Sequence, residues 1–161
     1  MIYLRALLAS TVLSCALPAA AFAAGAFERT PEGVIVTPQS GPAHRVRLQV
    51  FGSGLIRVTA IPGDRFDQPA SLMVVASPDG ATPFTVGAST EKVTLKTDVV
   101  SAEVSLATGA VQFRDAQGET TLAERDRGEM TPVAIEGKPY LAVRQVFNPS
   151  TTEGFLSLIH I

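Results

Sequence analysis

The chain has 161 residues, 17% of them charged and 46% apolar, with 13 glycines, 11 prolines, one cysteine and no tryptophan. That length suits one domain, the apolar content is too high and the charge too low for a disordered chain, and a lone cysteine excludes a disulfide framework or a thiolate metal cage. A net charge of −2, more negative still once Arg5 is removed, provides no basic field, so nucleic acid is not an expected partner.

Met1–Arg5 carries one positive side chain, and residues 6–23 form an uncharged run rich in Ala and Leu, broken by Pro18 and ending Ala21-Phe-Ala23. Small residues at both recognition positions suit signal peptidase, so residues 1–23 are expected to be an export leader cut before Ala24. The run is short for a membrane span, contains proline and is followed at once by polar residues, so no stable span is expected. Val12-Leu-Ser-Cys15 loosely resembles a lipobox and keeps a lipoprotein open as a minor alternative, although the apolar run continues well past Cys15. Cleavage at Ala24 leaves a cysteine-free chain suited to an oxidising, periplasmic or secreted location.

From residue 24 onward, short β-rich runs alternate with Gly, Pro, Asp and Asn. Gly33–Thr37 is the first predicted strand and stops at Pro38. Over Arg45–Phe51, Val46, Leu48 and Val50 share one face while Arg45, Arg47 and Gln49 share the other. Gly52-Ser-Gly54 turns the chain into Leu55–Ile61, with Ile56, Val58 and Ala60 inward, so a hairpin is expected here. Beyond Pro62-Gly-Asp64 and a loop to Pro69, the apolar run Ser71–Ala76 is predicted as a strand, closed by Pro78-Asp-Gly80. Glu91–Thr97 alternates about Val93 and Leu95, and Val100, Ala102, Val104 and Leu106 line one face of the next strand. Thr108-Gly109 leads into Ala110–Arg114, with Val111 and Phe113 inward; Asp115–Gly118 turns into Glu119–Ala123; a last strand spans Tyr140–Phe147 and ends at Asn148-Pro149.

About nine strands with one-faced alternation and no βαβ spacing predict an all-β fold, an antiparallel β-sandwich whose two sheets bury their apolar faces against each other. Glu103, Arg114 and Arg57 fall on outward faces and are expected to be solvated. Glycoside or acyl chemistry would need paired carboxylates or a nucleophile with its base. Asp64, Asp67, Asp79 and Asp115 sit in turns, where aspartate ordinarily bonds the local backbone. His44 stands alone before a strand and is expected to be satisfied or exposed. Gly52-Ser-Gly54 is a hairpin turn rather than a phosphate cradle, and no metal-ligand spacing is present. No catalytic, cofactor-binding or metal-binding residue is therefore nominated, and no cofactor is expected. A platform for stacking sugars is poorly supplied, since only Tyr140 of the two tyrosines lies beyond the leader and phenylalanines such as Phe113 fall on inward strand positions.

Three stretches resemble the N-terminal domain of glycoside hydrolase family 31, most closely its exported α-xylosidase-like members. They are Val46-Arg-Leu-Gln-Val-Phe-Gly-Ser-Gly-Leu-Ile-Arg-Val-Thr59, Ala102-Glu-Val-Ser-Leu-Ala-Thr-Gly-Ala-Val-Gln-Phe-Arg-Asp115 and Gln145-Val-Phe-Asn-Pro-Ser-Thr-Thr-Glu-Gly-Phe155. The resemblance implies a galactose-mutarotase-like β-sandwich over residues 24–155, packed in the parent protein against a (β/α)₈ barrel. It implies that the barrel, which has no counterpart in this chain, supplies both catalytic aspartates and binds the α-linked oligosaccharide. On that basis the parent is expected to be a retaining α-glycosidase, an α-xylosidase acting on xyloglucan-type oligosaccharides, and this chain an inactive fragment. A stand-alone exported carbohydrate-binding sandwich, or an α-glucosidase or transglycosylase of the same family, is the alternative.

The family pattern would continue past Phe155 as Tyr-Gly-Leu-Gly. Leu156-Ser-Leu-Ile-His-Ile161 departs from it, and CTG TCT CTT ATA CAC ATC, one of its reverse translations, is similar to a transposon-end adapter of sequencing libraries. Residues 156–161 are therefore expected to be foreign, which removes His160 as a ligand or base. A sandwich cut there is expected to expose its barrel-facing surface and to aggregate readily.

Overall fold

The computed structural model describes residues 26–67, 74–125 and 128–149. The expected leader, the terminal hexapeptide and the end of the third family-like stretch lie outside these residues. Eleven strands and no helix run through the described chain. β1 (Phe27–Thr30), β2 (Gly33–Val36), β3 (Arg45–Gly52) and β4 (Leu55–Ile61) form one antiparallel sheet in that order. β5 (Thr85–Ala88), β6 (Lys92–Lys96), β7 (Val100–Ser105), β8 (Val111–Asp115) and β9 (Thr120–Ala123) form a second, also in sequence order. β10 (Glu129–Ile135) and β11 (Lys138–Arg144) make a separate two-stranded ribbon.

The two sheets stack with β2 against β6 and β4 against β7, and the all-β antiparallel sandwich is as expected. The alternation of the sequence builds the core directly. Val34, Val36, Val46, Leu48, Val50 and Ile56 face Val86, Val93, Leu95, Ala102, Val104 and Val111 in one buried cluster. Each such side chain contributes about 1.5–3 kcal/mol on leaving water, and a single layer could not bury them. Polar ties join the layers at their margins. Arg29 Nη2 donates to the Val86 carbonyl at 2.5 Å, Thr97 Oγ1 to Ser53 O at 2.5 Å, and the Gln39 and Ser40 amides to Leu106 O and Ala107 O.

The expected β3–β4 hairpin is present, with a bulge between Val50 and Gly52 that shifts the register before Leu55. The Asp115 turn is also as expected: Asp115 Oδ1 accepts from the Gln117 and Glu119 amides at 3.0 and 2.8 Å. Asp79 does the same for Ala81 and adds the Thr82 hydroxyl. The Thr82 bond, then that of Ala81, holds the Asp79 carboxyl below its ordinary range.

Three expectations need correction. Ser71–Ala76 does not stand as a strand where it is described: Val74–Ala76 belongs to no sheet and Val75 is 98% exposed. Residues 71–73 of that run lie outside the described chain. The late strand ends at Arg144 rather than Phe147, which keeps only an isolated bridge to Glu124. β1, β5 and β10 are additional strands that the alternation does not mark.

Candidate functional site

An apolar concavity lies where β4, β8 and β9 meet the root of the β10–β11 ribbon. It encloses about 400 Å³. Ile56, Val58 and Ala60 form one wall, Val111, Phe113 and Leu122 a second, and Met130, Leu141, Val143 and Phe147 the third. The first two walls arise from strand periodicity, since Ile56, Val58 and Ala60 are alternate residues of β4 and Val111 and Phe113 of β8. The third depends on the ribbon, whose turn at Glu136-Gly137 has both residues at positive φ (51° and 74°). That geometry matches the right-handed twist of a tight hairpin and favours glycine at the second position.

Glu124 is the carboxylate in this wall, and both its oxygens are occupied. Oε2 accepts from the Val111 amide and Oε1 from Gln145 Nε2, each at 2.8 Å. A carboxylate so engaged fixes the β8–β9 edge to the chain following β11. Apart from Glu124 and Gln145 the lining of the cleft is apolar.

Elsewhere the charged groups form structural networks. Glu103 corrects the expectation of a solvated strand face, since its side chain is only 14% exposed. Lys92 Nζ lies 2.8 Å from Oε1 and Arg114 Nε 3.4 Å from Oε2. Burial pushes the carboxyl upward, but Lys92 and then Arg114 outweigh it and hold it below the ordinary glutamate range. A depressed carboxylate stabilises the fold fully above its unfolded value, about 4.3, and the stabilisation fades as pH falls through the lower folded value. Glu103→Gln should therefore lower stability by about 1 kcal/mol at neutral pH, and the difference in Tm from wild type should close on acidification. A difference unchanged between neutral and acid pH would exclude the ion pairs as its cause.

On the outer face of the first sheet, Arg47 stacks 4.3 Å from the Phe66 ring centroid and Arg57 lies 5.8 Å from that of Phe51. Burial and then the neighbouring Arg57 lower the Arg47 pKa, and Glu32 opposes them. Arg57 thus does not stand simply in water, as expected, but over an aromatic ring. His44 has a partner the sequence did not reveal: Asp64 Oδ1 is 2.6 Å from Nδ1, with the two side chains 53% and 78% exposed. The His44 expectation of a satisfied or exposed side chain holds on both counts. Twenty residues separate the pair, and only the β3–β4 hairpin, which brings His44 N to Ile61 O, joins them. Tyr140 and Phe113 do not meet in a platform: Phe113 packs toward the core, and Tyr140 is exposed on the ribbon. Among the described residues no three His, Cys, Asp or Glu side chains cluster to hold a metal, and no helix is long and apolar enough to cross a membrane.

No family model matches the chain. Among solved structures it is similar to the GH31 α-xylosidase from Xanthomonas citri, with 41% identity and a TM-score of 0.69. The chain is homologous to a family 31 glycoside hydrolase. The match covers 76% of this chain but 13% of the Xanthomonas enzyme. Identity at that level carries more than a shared fold, and it falls on a chain whose own walls and charge networks are structural. Both features are consistent with a non-catalytic N-terminal segment of a larger family 31 enzyme, as the three sequence stretches imply.

Proposed function

We propose that this chain is the N-terminal sandwich of an exported retaining α-glycosidase, an α-xylosidase acting on xyloglucan-type oligosaccharides. The observation that carries the reading is the 41% identity to a GH31 α-xylosidase over most of this chain. Retaining hydrolysis places one carboxylate as nucleophile and a second as acid and base on either side of the scissile bond. Both would come from the part of the parent beyond this segment. The residues described here would hold the sandwich rigid and supply a surface to that part, with Glu124 locking the β8–β9 edge. An export leader over residues 1–23 would put the parent in the periplasm or outside the cell.

The purified 161-residue chain should not hydrolyse aryl α-xylosides or aryl α-glucosides above the uncatalysed rate. Turnover that persists through repurification and follows the chain in chromatography would overturn the non-catalytic reading.

A further inference from the structure

Among the described residues, the half-buried cations Arg45, Lys92 and Arg114 each reach a carboxylate, that of Glu28 or of Glu103. Arg47 and Arg57 are equally half-buried, yet neither forms a salt bridge or a side-chain hydrogen bond with a described residue. They are neighbours. Arg47 pairs directly with Thr59 across β3–β4 and Arg57 with Gln49, so the two arginines take diagonal positions on the outer face of the first sheet. Burial and then Arg57 lower the Arg47 pKa, as expected of two cations sharing one partly desolvated surface. Glu32 opposes them only in part, and its Oε2 already accepts from Gln49 Nε2 at 2.7 Å. Arg47 Nε and Thr59 Oγ1 are both buried with no hydrogen-bond partner. Two orphans on directly paired residues show that the fold does not itself compensate the desolvation of this guanidinium.

The aromatic neighbours indicate what could compensate it. Phe66 lies 4.3 Å from the Arg47 guanidinium carbon and Phe51 5.8 Å from that of Arg57. A ring covers the flat face of a guanidinium and keeps water from it, while the N–H donors point outward in the guanidinium plane. That in-plane fork matches two oxygens of one oxyanion, and the bonds are charge-assisted. An anion between the arginines would also cancel their mutual repulsion. We propose that Arg47 and Arg57 form a binding site for a small oxyanion, a carboxylate or phosphate group, on the outer face of the first sheet. The site stands apart from the glycosidase reading and needs no residue beyond this chain.

Titration of the 161-residue chain tests it, with the arginine Nε–H signals followed by proton–nitrogen NMR at constant ionic strength against a chloride background. Sodium acetate and inorganic phosphate are the probes. At least one should move the Arg47 and Arg57 signals along a saturable curve, with Kd on the order of 1–10 mM, while those of Arg114 and Arg144 stay in place. The probe with the lower Kd names the source of the oxyanion. Arg57→Gln should weaken binding at least about tenfold. Arg57→Lys, which keeps the charge and loses the fork, should weaken it by a smaller factor, and Lys138→Gln on the ribbon should leave it unchanged. Neither probe saturating, shifts of equal size at Arg114 and Arg144, or binding that survives Arg57→Gln in a protein melting like wild type would overturn the site. If Arg57→Gln does not fold, the wild-type curves and Arg57→Lys decide.

Discussion

Gly33→Ala should remove the cooperative unfolding transition of this domain or shift it by about 4 kcal/mol or more. Gly33 opens β2, and a Cβ built there would overlap the carbonyl oxygen of Leu48, with Gln49 Cα only 3.2 Å away. The obstacle is backbone, so no side-chain rotation relieves it. β2 would have to leave β3, breaking the ladder that pairs Gly33 with Gln49 and Val34 with Leu48. Val34 and Val36, both fully buried, would be drawn from the core with it. Domains of this size have about 5–15 kcal/mol of stability in total, so the loss is a large share. Urea unfolding followed by far-UV circular dichroism reads the effect, and Gly87→Ala is the control. Gly87 lies in β5 with open space around its missing side chain, so alanine there should be neutral or slightly stabilising. A Gly33→Ala protein with the midpoint of wild type would show that β2 is not held against β3 as described.

Leu95→Ala should cost about 3 kcal/mol, lowering Tm by roughly 10–15 °C for a domain of this length. Leu95 and Leu48 are among the largest fully buried side chains, and both belong to the cluster shared by the two sheets. Shortening Leu95 leaves a cavity with sheet backbone around it that cannot close. Leu55→Ala, at a position 57% exposed beside the β3–β4 turn, should cost well under 1 kcal/mol. Comparable losses at both positions would mean that the two sheets do not share a close-packed core.

The core was legible because its strands alternate where one face meets the other sheet. Val46, Leu48 and Val50, or Val93 and Leu95, announce both the strand and its buried side. The same rule fails where burial does not come from local pattern. Phe27-Glu-Arg-Thr30 and Thr85-Val-Gly-Ala88 carry too few apolar residues to show a period, and they are strands because β2 and β6 offer them free edges. Pro132 masks β10, since proline inside a run argues against a strand; a ribbon with only one neighbour tolerates it. Ser71–Ala76 fails in the other direction. A continuous apolar run has strand composition, but composition cannot supply a neighbouring strand, and Val75 stands almost wholly in water.

Site features divide along the same line. Period two places Glu103 outward, as it is. It cannot reveal that Lys92 and Arg114, on flanking strands, fold over that carboxylate and take it out of water. Gln49, also outward, is buried because Glu32 Oε2 accepts from its Nε2 at 2.7 Å. The cleft was not legible at all, because its third wall is a ribbon whose first strand the pattern hides. Family resemblance was legible from three ordered stretches, and the part of them that the structure describes falls on β3–β4, β7–β8 and the segment after β11, which are the elements that build the core and close the cleft.

As the proposed non-catalytic segment of a retaining α-glycosidase, the sandwich should be inert while its parent hydrolyses with net retention. Proton NMR of aryl α-xyloside hydrolysis by the full-length parent tests it most directly, with the 161-residue chain run beside it. The parent should release xylose first as the α-anomer, which then mutarotates, while the short chain releases none. A parent that cleaves no α-glycoside, that releases the β-anomer first, or that turns over no faster than the 161-residue chain would contradict it.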